Sequence, residues 1–429
     1  MGERGAGGML HISQQLPRST RCLKAALDKC MLEAKDGRLL DVGSAQGCIA
    51  RGWVSRGLGA TYSHYLLPAC KEVARARGLA LAPPRETASR VQDCLLQASD
   101  ATGFGIAFTD VCPPGPYDLA TFDTSEYEAP YALEMISHIA VALAPSGFLV
   151  TVIDSTISRD AWWEQLKIWF GQVRELDLGL PESKELRLFL ARGPKIEKPP
   201  LIDYWPWQVS FGGKVYGLCG APGVFSPRAL DDGTAHMLNI IQETLHSQGQ
   251  ARFLDLGCGT GVVSLMANGA LGALVTAVDT NARALRLTIA NLEANGAHGV
   301  QVLPSDGFDD ISNLPRFDVI ACNPPYHADF GVAKRLIEGA FRQLEDGGRL
   351  YIVVKRFDWY ARKLESLFGG YERHFRDDYT IFMSERRINA SHAAGDGDKG
   401  QRLSKAGKKK HMKRLARTKQ RKRIAARRR

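Results

Sequence analysis

The chain has 429 residues, 45% hydrophobic and 24% charged, an ordinary composition for a soluble globular protein. No run approaches the roughly 18 apolar residues a membrane-spanning helix needs, so none is expected. The formal net charge of +10 is unevenly placed: residues 399–429 hold 16 Lys+Arg and no acid, which leaves 40 basic against 46 acidic residues, net −6, over 1–398.

A basic tail on a mildly acidic body is the pattern of an arm that contacts nucleic acid or another polyanion; a solvated or localisation tail is the plainer alternative. The nine cysteines are odd in number, scattered and without a CxxC pair. That argues against a disulfide framework and a zinc site, and for a reducing, cytoplasmic compartment. The N-terminus is basic but has no apolar core segment, so it is not a secretory signal; an organelle leader is the weaker reading.

In chain order, Leu39-Leu40-Asp41-Val42-Gly43-Ser44-Ala45-Gln46-Gly47 reads as a short strand entering a turn. A second strand runs around Ala60–Leu67 and ends without an acid. Asp118–Tyr127, a helical stretch, the turn Ser146-Gly147 and the strand Phe148–Ile153 follow. The Pro- and Lys-rich segment Arg192–Pro200 suits a linker, because such a segment does not continue a sheet. Val209–Leu218 alternates like strands, and Ala221–Ser226 is a loop.

The landmarks then recur in the same order. Phe253–Leu256 is a strand, and Gly257, Gly259 and Gly261 turn the chain into a helix near Val262. Leu274–Asp279 is the next strand, Val300–Leu303 the third, and Asp318–Cys322 the fourth. The turn Gly347-Gly348 and the strand Leu350–Val354 follow. Alternating strand and helix imply parallel sheets covered on both faces, and the repeated order implies one fold used twice. The expected division is 1–194, 195–390 and a disordered basic tail at 391–429.

Three acids fall at successive strand ends: Asp255, Asp279 and Asp306. Glycines let a ligand approach the backbone, a carboxylate after the second strand can accept both ribose hydroxyls, and one after the third can accept from an adenine amine. Each acid alone would read as a helix cap. Sixty-eight residues after Asp255 stands Asn323-Pro324-Pro325-Tyr326. The prolines stiffen this loop and aim the Asn323 side-chain oxygen and the Pro324 carbonyl at one point. Two acceptors there would hold an exocyclic NH2 with its lone pair turned outward, and Tyr326 would stack on the base.

Residues 253–326 resemble class I S-adenosylmethionine-dependent methyltransferases of the Asn-Pro-Pro-Tyr/Phe kind. With Gly223-Val224-Phe225-Ser226 upstream and His327 downstream, the chain is similar to the ribosomal RNA small-subunit guanine-N2 methyltransferases and their large-subunit relatives. The resemblance implies two tandem Rossmann-like methyltransferase folds with mostly parallel seven-stranded sheets, the first degenerate. It implies S-adenosyl-L-methionine as cofactor, a donor site of Phe225, Asp255, Gly257, Gly259, Gly261, Asp279 and Asp306, and catalytic residues Asn323, Pro324 and Tyr326. It also implies ribosomal RNA as partner. Tyr326 where relatives often carry Phe leaves guanine, adenine and glutamine-amide acceptors open, and the basic tail departs from the family pattern. Adenine-N6 transfer to RNA or DNA, and a non-catalytic ribosome-assembly or RNA-binding factor, are the alternatives. The first half has Asp123-Thr124-Ser125-Glu126 at the acceptor loop and keeps only Asp41, Gly43, Gly47 and Asp110 of the donor pattern.

Overall fold

The computed structural model describes residues 16–30, 37–82, 96–154, 158–179, 185–198, 204–245, 250–325, 330–355, 357–376 and 378–387. Tyr326, His327 and the tail from 388 onward lie outside the described residues.

The first half contains α1 (Arg18–Cys30), β1 (Leu39–Val42), α2 (Cys48–Val54), β2 (Ala60–His64), α3 (Leu67–Ala76), β3 (Leu96–Ser99) and β4 (Phe104–Phe108). It continues with β5 (Tyr117–Asp123), α4 (Ala129–Ala142), β6 (Leu143–Asp154), α5 (Arg159–Trp169), β7 (Phe170–Leu176) and β8 (Leu186–Pro194). The second contains the hairpin β9 (Trp205–Phe211) and β10 (Lys214–Gly220), then α6 (Asp232–Thr244), β11 (Arg252–Leu256), α7 (Val262–Gly269) and β12 (Leu274–Asp279). It ends with α8 (Ala282–Ala294), β13 (Gln301–Pro304), β14 (Phe317–Cys322), α9 (Phe330–Gln343), β15 (Leu344–Val354), α10 (Phe357–Phe368), β16 (Glu372–Arg376) and β17 (Tyr379–Glu385).

The second sheet has seven strands in the order β13-β12-β11-β14-β15-β17-β16. The first runs β4-β2-β1-β5-β6-β8-β7 in the same sense, with β3 added beyond β4, so it has eight strands where seven were expected. The added strand pairs antiparallel with β4. In both sheets the central strands are parallel and the last strand in sequence enters antiparallel. The central strands are buried on both faces, which is why they read as apolar runs rather than alternations.

A second expectation fails. Arg192, Gly193 and Pro194 belong to β8 and not to a linker. Beyond Arg192, β8 is no longer paired with β6, and Pro194 pairs with Phe170 of β7. Proline is tolerated there because it sits at a strand end.

The two halves meet through equivalent segments. Leu66 bridges Asn281, the Leu67 N–H donates to the Thr280 carbonyl (2.8 Å), and the Ala282 N–H donates to the Tyr65 carbonyl (2.9 Å). Each partner stands at the same place in its own fold, just after the second parallel strand, so the contact has the form of a two-fold axis. Two ion pairs also cross this contact: Lys71 of α3 binds Asp310, and Arg286 of α8 binds Asp110. Arg283, only 1% exposed, makes a two-pronged bond to Glu134 and lies over the Tyr131 ring. Charges buried this deeply persist only when paired, and both prongs are satisfied.

Candidate active site

A cleft of about 550 Å³ opens at the carboxyl ends of β11, β12 and β14. In open α/β sheets this edge is where strand order reverses and ligands bind. Phe225, Asp255, Gly257, Gly259, Asp279, Asp306, Asn323 and Pro324 all line it. The structure therefore brings together every described residue expected at the site except Gly261, which stands one step behind.

The turn after β11 explains that exception. Gly257, Gly259 and Gly261 all have positive φ, at 85°, 57° and 79°, a region L side chains rarely adopt. A Cβ on Gly257 or Gly259 would meet no atom of the described residues within 4 Å, so these two glycines face open cleft. A Cβ on Gly261 would lie 2.9 Å from Thr288 Cγ2, so this glycine serves helix packing. The helix that follows, α7, presents its N-terminus beside the cleft.

Asp255 is buried, and its Oδ2 accepts from the Ser264 N–H (3.0 Å) and hydroxyl (2.6 Å). It fastens the glycine turn to α7. Burial pushes its carboxyl up to about 7, against the opposing pull of the Ser264 bonds. Asp279 is likewise raised, chiefly by burial; its Oδ2 accepts from the Gly259 N–H (3.0 Å) and its Oδ1 from the Asn281 N–H (2.9 Å). Asp306 takes a longer ion pair from Arg335 (3.7 Å). Phe225 is 57% exposed at the cleft mouth.

At the opposite wall, Asn323 Nδ2 donates to Thr234 Oγ1 (2.8 Å) and Asp231 Oδ2 (3.1 Å). Its Oδ1 is buried and has no hydrogen-bond partner among the described residues. A buried acceptor left unsatisfied is costly, so one placed on a cleft wall marks a site for an incoming donor.

Sequence reasoning missed several contributors. Asp231 and Thr234 lie 92 and 89 residues before Asn323. Leu66 reaches the cleft from the first half. Asn281 caps α8 and also donates from Nδ2 to the Gly223 carbonyl (2.7 Å), while Glu128 of the first half accepts from the Gly223 N–H (3.1 Å). The cleft loop is thus held from both halves. Only Asn281 had a local signal, as an N-cap residue two positions after Asp279.

The first half keeps the scaffold without the space. Asp41 matches Asp255 and accepts from the Ala50 N–H (2.9 Å) and the Ser44 hydroxyl (2.6 Å). A Cβ on Gly43 would lie 2.9 Å from the Asp123 carbonyl and 3.1 Å from Tyr127 Cε2. Tyr127 packs with Tyr65, Tyr131 and Phe122 where the second half has a cleft. At the place of Asp279 stands His64, fully enclosed and lowered by burial to about 4. Asp110, at the place of Asp306, is held by Arg286.

Comparison with known proteins agrees with this geometry. Residues 215–382 match the family model described as methyltransferase small domain. Ribosomal RNA small subunit methyltransferase C of Salmonella choleraesuis is 32% identical over 264 residues, 59% of this chain and 73% of that one. The protein of the same name from a Marinomonas species is 27% identical over 269 residues, 60% of this chain and 74% of that one. Among solved structures, a T. thermophilus 16S rRNA N2 methyltransferase, in complex with AdoMet and guanosine, superposes with a TM-score of 0.69 over 86% of this chain and 92% of that one. Its 22% identity speaks to the fold. The chain belongs to the ribosomal RNA small subunit methyltransferase C family.

Proposed function

We propose that the chain transfers a methyl group from S-adenosyl-L-methionine to the exocyclic N2 of a guanine in ribosomal RNA. The single observation that carries this reading is the unpartnered, buried Asn323 Oδ1 on the wall of a cleft that also holds the glycine turn and Asp279. The cofactor fits the residues present. Gly257 and Gly259 leave open the space a Cβ would fill, and Asp279 offers a carboxylate for ribose hydroxyls. Bound there, it supplies an electrophilic methyl group.

The chain's own residues then do three things. Asn323 Oδ1 and the Pro324 carbonyl accept the two hydrogens of the base amine, which sets the nitrogen lone pair toward the cleft. The stiff Asn-Pro-Pro loop fixes that direction in advance, so alignment, rather than proton removal, supplies most of the rate. A neutral exocyclic amine becomes acidic only as it gains the methyl, and the proton then leaves to solvent without a strong base. Tyr326 completes the cradle by stacking on a base turned out of its helix.

The domain reading is a degenerate methyltransferase fold over 1–194, a catalytic fold over 195–390, and a basic RNA-holding arm over 391–429, in a cytoplasmic protein. The crowded Gly43 and buried His64 support the first half as a copy without a donor site. The reading is tested by incubating purified protein with methyl-labelled donor and unmodified small-subunit RNA, then digesting to nucleosides. Label in N2-methylguanosine is expected; label in N6-methyladenosine, or none, would replace this reading with one of the alternatives.

A further inference from the structure

An asparagine amide has two faces that differ only in which atom is O and which is N. Here the surroundings distinguish them. Asp231 Oδ2 is an acceptor only, and it lies 3.1 Å from Asn323 Nδ2. The Thr234 hydroxyl has one hydrogen, given to Asp231 Oδ2 (3.3 Å), which leaves its lone pairs for the Asn323 N–H at 2.8 Å. A flipped amide would put oxygen against a carboxylate. Asp231 is itself fixed on its other oxygen by the Tyr379 hydroxyl (3.2 Å), and its Oδ2 also takes the Thr234 N–H (3.0 Å) at the start of α6.

We infer that Asp231, Thr234 and Tyr379 are positioning residues that lock the Asn323 carbonyl toward the acceptor amine. The inference rests on the reading of Asn323 as the amine's cradle. All three lie outside the Asn-Pro-Pro-Tyr motif: Asp231 caps α6, Thr234 is in its first turn and Tyr379 opens β17.

The first half supports it by contrast. Helix α1 matches α6 in length, 13 residues each, and precedes Asp41 as α6 precedes Asp255. Thr20 stands where Thr234 does, but Pro17 stands in the place of Asp231. There the hydroxyls of Thr20 (2.6 Å) and Ser19 (3.0 Å) bond Asp123, the residue in the place of Asn323. The half that lost the amide lost the carboxylate that would orient it.

The deciding variant is Thr234→Val. It keeps shape and the backbone N–H cap on Asp231 but removes the acceptor for Asn323 Nδ2. Expected is a fall in kcat of about tenfold or more, with donor Kd within about twofold and an unchanged melting midpoint, and Thr234→Ser should restore most of the rate. Tyr379→Phe, which removes the hydroxyl bond to Asp231 Oδ1, should lower kcat by a smaller factor and decides the matter if Thr234→Val does not fold. Undiminished kcat in Thr234→Val and Tyr379→Phe, alongside an inactive Asn323→Ala, would overturn the inference and leave the cradle reading standing. Undiminished kcat in Asn323→Ala would sink both.

Discussion

Alanine at Gly257 and alanine at Gly43 occupy matched places in the two folds and should have opposite consequences. Both positions have positive φ, 85° and 76°, so each substitution costs about 1–2 kcal/mol of backbone strain. At Gly257 the new methyl meets nothing within 4 Å among the described residues and projects into the cleft. Folding should lose little beyond the strain, while a ligand packed against that turn loses about 1–3 kcal/mol, or about 5- to 150-fold in Kd. At Gly43 the methyl meets the Asp123 carbonyl at 2.9 Å and Tyr127 at 3.1 Å. Overpacking then adds to strain for a total of about 2–5 kcal/mol of stability, with no ligand contact to lose. Calorimetric titration with the donor, paired with thermal unfolding, separates the two. Gly257→Ala should lose affinity more than stability, and Gly43→Ala the reverse. A folded Gly43→Ala protein that binds donor as poorly as Gly257→Ala, or two donors bound per unmodified chain, would refute the account of the first half.

Asn323→Ala should lower kcat by about 10²-fold or more while donor affinity stays within about twofold, read by steady-state kinetics and titration. Deleting residues 391–429 should weaken rRNA binding and flatten its salt dependence with kcat at saturation little changed, since each neutralised phosphate contributes to the salt slope; equal affinities and slopes across a salt series would assign the arm another role. Asp255 titrates near 7 in the folded chain against 3.8 ordinarily, so its contribution to stability is fully present below about pH 3.8 and is lost as pH rises toward 7. Asp255→Asn removes that loss; its melting temperature relative to the unmodified chain should climb between pH 4 and 7 and level off above about 7, and a difference that is flat with pH would contradict the burial argument.

Much of this was legible in the sequence because its signals are local. The glycine turn, the acids at strand ends and the Asn-Pro-Pro loop each announce themselves within a few residues, and the structure gathers them on one cleft. The doubled strand order was visible as repeated landmarks. What escaped was long-range. The bond from Asn323 to Asp231 spans 92 residues, and nothing near either residue signals the other. Leu66 pairing with Asn281 depends on how two folds meet, and β3 is an edge addition with a partly exposed pattern that resembles a loop. Pro194 misled because proline forbids only an N–H bond, and at the end of β8 none was needed. Asp255 kept its predicted place, but its carboxylate is spent on Ser264, so its service to the cleft is to hold the turn.

The proposed reaction is methylation of a guanine amine in ribosomal RNA through the Asn323 cradle. Its most direct test is nucleoside mass spectrometry of small-subunit RNA from cells carrying the gene, lacking it, or carrying Asn323→Ala. N2-methylguanosine should fall equally in the last two, with no other methylated nucleoside changed. Unchanged N2-methylguanosine in the deletion, or full restoration by Asn323→Ala, would contradict it.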